Sequence, residues 1–304
     1  MRLSVTGASG FIGQATVARL VAAGHSVRAV DRHPHRFEEP VDAVVGDLRD
    51  PEVARAAAGP GTQAVVHLAA ATSVLASVSR PAEVFADNVV ATSHLLEAAR
   101  GTGVARVVMA STNAVVGRAV ADRISESSPL APLTPYGATK AAAEMLASAY
   151  SSCYGMAVAC LRFTNVYGPG MATKDSVVAR LMRAARDRGE VQIYGDGTQV
   201  RDYLFVDDAV AAIELALERG HSGPLTVGFG ESVSMNQLHR LACEVTGVDI
   251  PARRVPARAG EMPAVEVDTS LARSLGFRPA VSLREGLAAT WAYFCSLAGE
   301  GSGP

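Results

Sequence analysis

Tyr136 and Lys140 stand four residues apart in the stretch TPYGATKAAAEM, near the start of a run of helical composition. On a helix, that spacing puts two side chains on one face, a turn apart. A phenol of pKa about 10 acts as a base near neutrality only if its pKa falls by roughly 3 units, worth about 4 kcal/mol. An ammonium at close range supplies energy of that order in a partly screened site. Taken alone, the pair reads as a surface Tyr and Lys on an ordinary helix. The glycine-rich sequence at the other end of the same half changes that reading.

That sequence is TGASGFIG, residues 6–13, between a first strand and a helix. Gly7, Gly10 and Gly13 let the backbone turn tightly, approach a pyrophosphate, and pack the helix on a sheet. Phosphate then meets the free N–H groups and positive end of that helix. The spacing is GxxGxxG rather than the GxGxxG of the standard fingerprint, so a glycine turn of no function has the same form. Asp31 ends the second strand, where a carboxylate binds the hydroxyls of an adenosine ribose and repels a 2′-phosphate. This favours NAD over NADP, although Arg32 follows and could accept such a phosphate. Asp47 and Leu48 could bracket an adenine ring, or cap the helix that begins at Pro51.

The elements that must position these residues alternate. Runs 2–6, 27–30, 43–45, 64–68, 106–111 and 158–163 read as strands, and 12–23, 51–58, 82–100 and 137–152 as helices. Such alternation predicts an α/β fold, a Rossmann-type doubly wound parallel sheet. Helix-like segments follow at 175–188, 206–219 and 234–245, with a Pro/Arg-rich loop at 251–263 and a Gly/Ser tail at 299–304. The expected organisation is a cofactor domain over 1–167 and a smaller α/β substrate domain over 168–304, interleaved around 195–230.

Among 304 residues, 49% are apolar and 19% charged, enough for a large core, and the net charge is −2. With no basic run, neither nucleic acid nor a membrane surface is an expected partner. No apolar stretch reaches the roughly 18 residues of a membrane span. Cys153, Cys160, Cys243 and Cys295 are scattered without metal-ligand spacing, as in a reducing compartment, and no metal is expected. Residues 1–6 already have a strand pattern, which leaves no room for a signal peptide, so a cytoplasmic location is expected.

TGASGFIG, Asp31, Asp47-Leu48, HLAA (67–70), Asn88, Ser111-Thr112 and YGATK (136–140) resemble the extended short-chain dehydrogenase/reductases. LRFTNVYGP (161–169), YGDGTQVRDYLFVDD (194–208) and RAGEMPAVEVD (258–268) extend the resemblance to the nucleotide-sugar epimerases and dehydratases, the UDP-glucose 4-epimerase-like group. The resemblance implies that Tyr136 is the catalytic base, that Lys140 holds the nicotinamide ribose and lowers the tyrosine pKa, and that Thr112 bonds the reacting oxygen. It places Gly7, Gly10, Phe11, Ile12, Gly13, Asp31, Arg32, Asp47, Leu48, Leu68, Ala69, Ala70, Asn88, Ser111 and Phe163 around NAD. Asn165, Arg201 and Arg258 would grip the nucleotide diphosphate, Glu261 the nucleoside ribose, and Tyr194 would stack on the base, with Thr72 at the substrate side. Guanidinium forks suit diphosphates. Singly, Arg201 and Arg258 read as solvated surface arginines. The resemblance also implies a homodimer through helices 82–100 and 137–152, whose alternative is packing on the protein's own sheet.

Two departures choose between branches. Sugar 4,6-dehydratases carry an Asp-Glu pair after the Thr; here the residues are Asn113-Ala114, neither with a proton to exchange near neutral pH. Val265 stands where glucose/galactose enzymes often place a bulky residue, and Lys174 lies where a sugar carboxylate could be recognised. Thr72 replaces the Lys or Gln associated with its position. The expected function is therefore an NAD-dependent nucleotide-sugar 4-epimerase working through a 4-keto sugar on a UDP- or dTDP-linked substrate. The alternatives are a nucleotide-sugar ketoreductase or dehydrogenase with exchangeable NAD(P)H, and a non-catalytic nucleotide-sugar-binding protein.

Overall fold

The computed structural model describes residues 1–35, 37–38, 40–117, 123–256 and 266–300, with side chains to residue 297. The first half comprises β1 (Arg2–Thr6), α1 (Phe11–Ala22), β2 (Ser26–Asp31), β3 (Asp42–Val45), α2 (Pro51–Ala57), β4 (Ala64–His67), α3 (Val74–Ser79), α4 (Pro81–Phe85), α5 (Ala91–Thr102), β5 (Arg106–Thr112), α6 (Pro135–Tyr154) and β6 (Ala157–Phe163). The second half adds β7 (Asn165–Tyr167), α7 (Val177–Asp187), β8 (Val191–Tyr194), β9 (Val200–Phe205), α8 (Val206–Arg219), β10 (Gly223–Val227), β11 (Ser232–Ser234), α9 (Met235–Thr246), β12 (Ala252–Val255), α10 (Ser270–Ser274) and α11 (Leu283–Glu300).

Seven strands form one sheet in the order β10-β6-β5-β4-β1-β2-β3, every pairing parallel. Helices cover both faces, so its central strands are mostly apolar; all four residues of β4 are buried. The chain builds outward from β1 to β3, then crosses back to β4 beside β1. That reversal opens a crevice at the carboxyl ends of the strands. Asp31, His67, Thr112 and Phe163 all end strands at that edge.

Helix α6 runs 20 residues, with Thr134 capping Gly137 N–H, Pro135 in its first turn, and Gly155 ending it in the left-handed region at φ 68°. The helix expected over 82–100 is interrupted: a π-helical turn, Ala86–Val90, joins α4 to α5. A second apolar cluster, including Met182, Leu238, Ile250, Leu287 and Phe294, packs α7, β8, α9 and α11 together. Segment 206–227 returns to the large sheet, where α8 packs on α1 and β10 pairs with β6. The expected loop at 251–263 contains a strand: β12 pairs with β8 in parallel register. Among the described residues, no helix is long and apolar enough to cross a membrane.

Candidate functional site

The glycine-rich loop leaves β1 and enters α1 at the sheet crevice. Gly7 adopts φ +70°, and a Cβ there would lie 2.6 Å from Ala69 N and 2.7 Å from Leu68 C, so only glycine lets this turn close against the end of β4. A Cβ on Gly13 would stand 2.1 Å from Gly7 O, so α1 can approach the loop only without one. Gly10 caps α1 with no side-chain hydrogen bond, which leaves the first-turn N–H groups to an anion. Asp31 stands at the end of β2: its Oδ2 accepts from Ser9 N (3.0 Å) and its Oδ1 from His33 N (2.9 Å). Ala8, Ser9, Asp31, His33 and Phe37 line one concavity there. These residues fit a dinucleotide, with its pyrophosphate on the helix end and its adenosine ribose at Asp31.

Other residues expected around NAD are committed to protein partners. Asp47 is paired with Arg49, Oδ2 accepting from Nη2 at 2.6 Å, and that hydrogen bond holds its carboxyl below the usual range. Asp50, not the Asp47-Leu48 pair, caps α2, and Leu48 is buried in the core. Arg32 bonds Asp87 at 3.2 Å. Ser111 Oγ donates to Glu144 Oε1 at 2.5 Å. Asn88 Oδ1 accepts from Ala71 N (2.7 Å), and its Nδ2 donates to Ala71 O (3.1 Å) and Thr139 Oγ1 (2.9 Å). Thr139 donates in turn to Tyr136 O. One amide thus ties the loop carrying Leu68, Ala69 and Ala70 to the first turn of α6. Phe11, Ile12 and Phe163 contribute apolar packing around the glycine loop.

Tyr136 and Lys140 lie one turn apart on α6, as their spacing predicts. The Thr112 hydroxyl, at the end of β5, stands beside the Tyr136 phenol. The expected lowering of the tyrosine pKa by Lys140 is corrected. Burial pushes the phenol up to about 12, and the Thr112 hydroxyl opposes it only in part. Burial also brings Lys140 down to about 8, against the partial support of Cys160 and Glu144, so its ammonium persists at neutral pH. Asn113 is buried behind Thr112.

A buried histidine escaped the sequence reading. His67, 2% exposed, has Nε2 2.9 Å from Thr92 Oγ1 and Nδ1 2.7 Å from Thr6 Oγ1. Thr92 spends its own proton on Asn88 O, so His67 must donate from Nε2 and accept at Nδ1. Burial, reinforced by the charge of Lys140, drives its pKa down to about 3. An unfolded chain takes up this proton near pH 6.5, whereas the folded one resists until about 3. Stability is therefore expected to fall by about 1.4 kcal/mol per pH unit through that window from this group alone. Urea titrations across the window should show His67→Gln losing less stability on acidification than the parent; equal slopes would remove His67 from the account.

On the substrate side, β7 pairs with β9 so that Asn165 lies beside Tyr203, two residues from Arg201. Asn165 and Arg201 therefore share a face of this small sheet. Buried Asp202 fixes the segment by accepting from Thr164 Oγ1 (2.8 Å), Phe229 N (2.9 Å) and Gly230 N (2.6 Å). Its signal was a carboxylate inside the apolar run VRDYLF. Tyr194 ends β8 and bonds Gln192, and Thr72 is exposed beyond the Ala69–Ala71 loop. Lys174, between β7 and α7, is half-buried, and burial lowers its pKa. Arg258, Glu261 and Val265 lie outside the described residues.

Comparison with known proteins matches this arrangement. Residues 3–228 match the model of the NAD dependent epimerase/dehydratase family. The chain is 35% identical to UDP-glucose 4-epimerase of Mycolicibacterium smegmatis, over 97% of this chain and 98% of that protein. It is 36% identical to dTDP-glucose 4,6-dehydratase of Streptomyces griseus, over 96% and 93%. The crystal structure of Thermotoga maritima UDP-glucose 4-epimerase with UDP-glucose superposes with a TM-score of 0.93 at 34% identity, covering 98% of this chain and 100% of that one. A glycine loop at a sheet switch point, and a half-buried Tyr136 one turn from a buried Lys140 near the end of β5, are thus found in a chain that belongs to the NAD-dependent epimerase/dehydratase family.

Proposed function

We propose that this protein is an NAD-dependent nucleotide-sugar 4-epimerase in which Tyr136, Lys140 and Thr112 carry the proton chemistry. The observation that carries this reading is the Thr112 hydroxyl beside the Tyr136 phenol, one turn from a buried ammonium, followed by Asn113-Ala114 where elimination would need an acid and a base.

Tyr136 takes the proton of the sugar O4, and Thr112 donates a hydrogen bond to the same oxygen. When bound, NAD supplies the oxidised ring that accepts the C4 hydride, leaving a 4-keto sugar, and later returns it. Burial alone leaves the Tyr136 phenol protonated near neutrality, so its ionisation as base would need the positive charge of the oxidised cofactor, when bound, beside the Lys140 ammonium. Asn165 and Arg201 hold the diphosphate while the keto sugar turns and presents its other face. Tyr136 then returns its proton to O4 and C4 is inverted. Binding energy concentrated on the non-reacting diphosphate leaves the sugar free to rotate.

A homodimer through α4, α5 and α6 belongs to the same proposal. Phe85 (51% exposed) and Met145 (65%) leave apolar surface on these helices in the single chain. Purified protein is expected to release NAD on denaturation, to invert C4 of a nucleotide sugar without added cofactor, and to sediment at twice the 31.5 kDa of one chain. Cofactor that dialyses away, with turnover only on added NAD(P)H, would instead support the ketoreductase reading.

A further inference from the structure

Arg32 immediately follows Asp31, the carboxylate suited to an adenosine ribose. A guanidinium at that point is the group that accepts a 2′-phosphate, so where its charge is held bears on which dinucleotide the protein takes. Arg32 Nη2 lies 3.2 Å from Asp87 Oδ2. The other Asp87 oxygen lies 3.5 Å from Arg49 Nε, and Arg49 also pairs with Asp47 at 2.6 Å. Among the described residues, no ion pair joins Arg32 to Asp31. Two arginines from the loops after β2 and β3 are therefore gathered by one carboxylate from across the crevice.

Asp87 stands in the π-helical turn between α4 and α5. A π turn widens the helix, and such turns recur at functional sites. Here Asn88 is hydrogen-bonded to Ala71, and the neighbouring Asp87 is ion-paired with both arginines while its buried Oδ1 accepts no hydrogen bond. The Asp87 side chain is only 14% exposed, against 41% for Arg32 and 45% for Arg49. The carboxylate is the buried member of the cluster and the arginines are its exposed members. With Asp47 included, two positive and two negative charges close on one another.

We propose that Asp87 is a cofactor-specificity residue: by holding Arg32 and Arg49 it withholds a guanidinium from the ribose 2′ position, so that the protein selects NAD over NADP. Asp31 repels a 2′-phosphate directly; Asp87 removes the cation that would offset that repulsion. The inference rests on dinucleotide binding at the glycine loop, and its test separates the two.

Protein first freed of retained dinucleotide is equilibrated with an equimolar mixture of NAD and NADP and passed through gel filtration, and the bound dinucleotides are released and quantified by mass spectrometry. Asp87→Asn, which keeps shape and removes charge, is expected to raise the bound NADP:NAD ratio about tenfold, equivalent to about 1.4 kcal/mol. Adding Arg32→Gln should cancel the gain. Asp87→Ser gives the same readout if the first variant fails to accumulate. An unchanged ratio in the single variant, or a gain that persists in the double variant, overturns the proposal while total occupancy still reports dinucleotide binding. Parent protein that takes up neither dinucleotide defeats the cofactor reading, and this inference with it.

Discussion

Replacing Tyr136 with Phe is expected to lower kcat for C4 inversion by roughly 10²–10⁴-fold while leaving nucleotide-sugar binding close to that of the parent. The substitution removes one oxygen and little else. Tyr136 is held at the start of α6 by backbone contacts: its carbonyl accepts from Thr139, and the helix start is capped by Thr134. Thr112 loses a neighbouring hydroxyl but still accepts from Ala114 N (3.3 Å). Asn165 and Arg201, which we propose hold the diphosphate, stand on a different sheet and are untouched. A change confined to kcat, with Kd for a nucleotide diphosphate preserved by calorimetry, is the pattern of a lost transition-state proton transfer. Turnover within tenfold of the parent would eliminate the tyrosine as the base.

Much of this site was legible because parallel strands buried on both faces read as apolar runs, and the chemistry gathers where such runs stop. The runs at 2–6 and 106–111 and the glycines after the first place Gly7 and Thr112 at one edge before any coordinate is known. What was not legible is which neighbour occupies a given lone pair. Ser111 and Asn88 were expected at the cofactor, and in the structure they bond Glu144 and the Ala71 backbone. Residue type and position gave no means of choosing between those partners. The tyrosine pKa failed for a related reason. A spacing of four places a lysine one turn away, but the desolvation that raises the phenol depends on what covers the helix from other elements. Helix 82–100 was read as continuous because a π turn inserts one residue without disturbing the apolar pattern enough to show.

Charged residues inside apolar strands were the missed signal with the widest consequences. Arg162 sits in VACLRF and is 3% exposed; Glu144 lies one turn beyond Lys140 on α6 and is 7% exposed. Glu144 Oε2 accepts from Arg162 Nη2 at 2.8 Å and Oε1 from Arg162 Nε at 3.1 Å, while Ser111 donates to Oε1. Arg162 Nη1 also donates to Ser125 O (3.2 Å) and Glu126 O (3.4 Å). One buried pair thus joins the residue before Thr112, the helix of Tyr136 and Lys140, and the segment leading into that helix. The position of the Tyr136 phenol relative to β5 depends on it.

Glu144→Ala is therefore expected to destabilise the protein by about 3–5 kcal/mol, since it leaves the Arg162 guanidinium buried without its counter-charge. That is a large share of the roughly 5–15 kcal/mol by which domains are stable. Breaking the pair and deleting it should differ. Glu144→Leu combined with Arg162→Met removes both charges and is expected to be more stable than Glu144→Leu alone, because burial of two charges offsets most of their mutual attraction. The double variant should nonetheless stay poorly active, with Ser111 and α6 no longer tied together. Glu144→Gln isolates the charge. The carboxylate helps to raise the Lys140 pKa against burial, so its loss should drop that pKa below about 8 and reduce the cationic fraction near neutrality. The activity of Glu144→Gln should then decline at a lower pH than that of the parent as pH rises. Urea midpoints for the single and double variants, with a pH–rate profile for Glu144→Gln, test each link. A loss below about 1 kcal/mol in Glu144→Ala would mean that water or a neighbouring group satisfies Arg162, and the pair could not be what aligns α6 with β5.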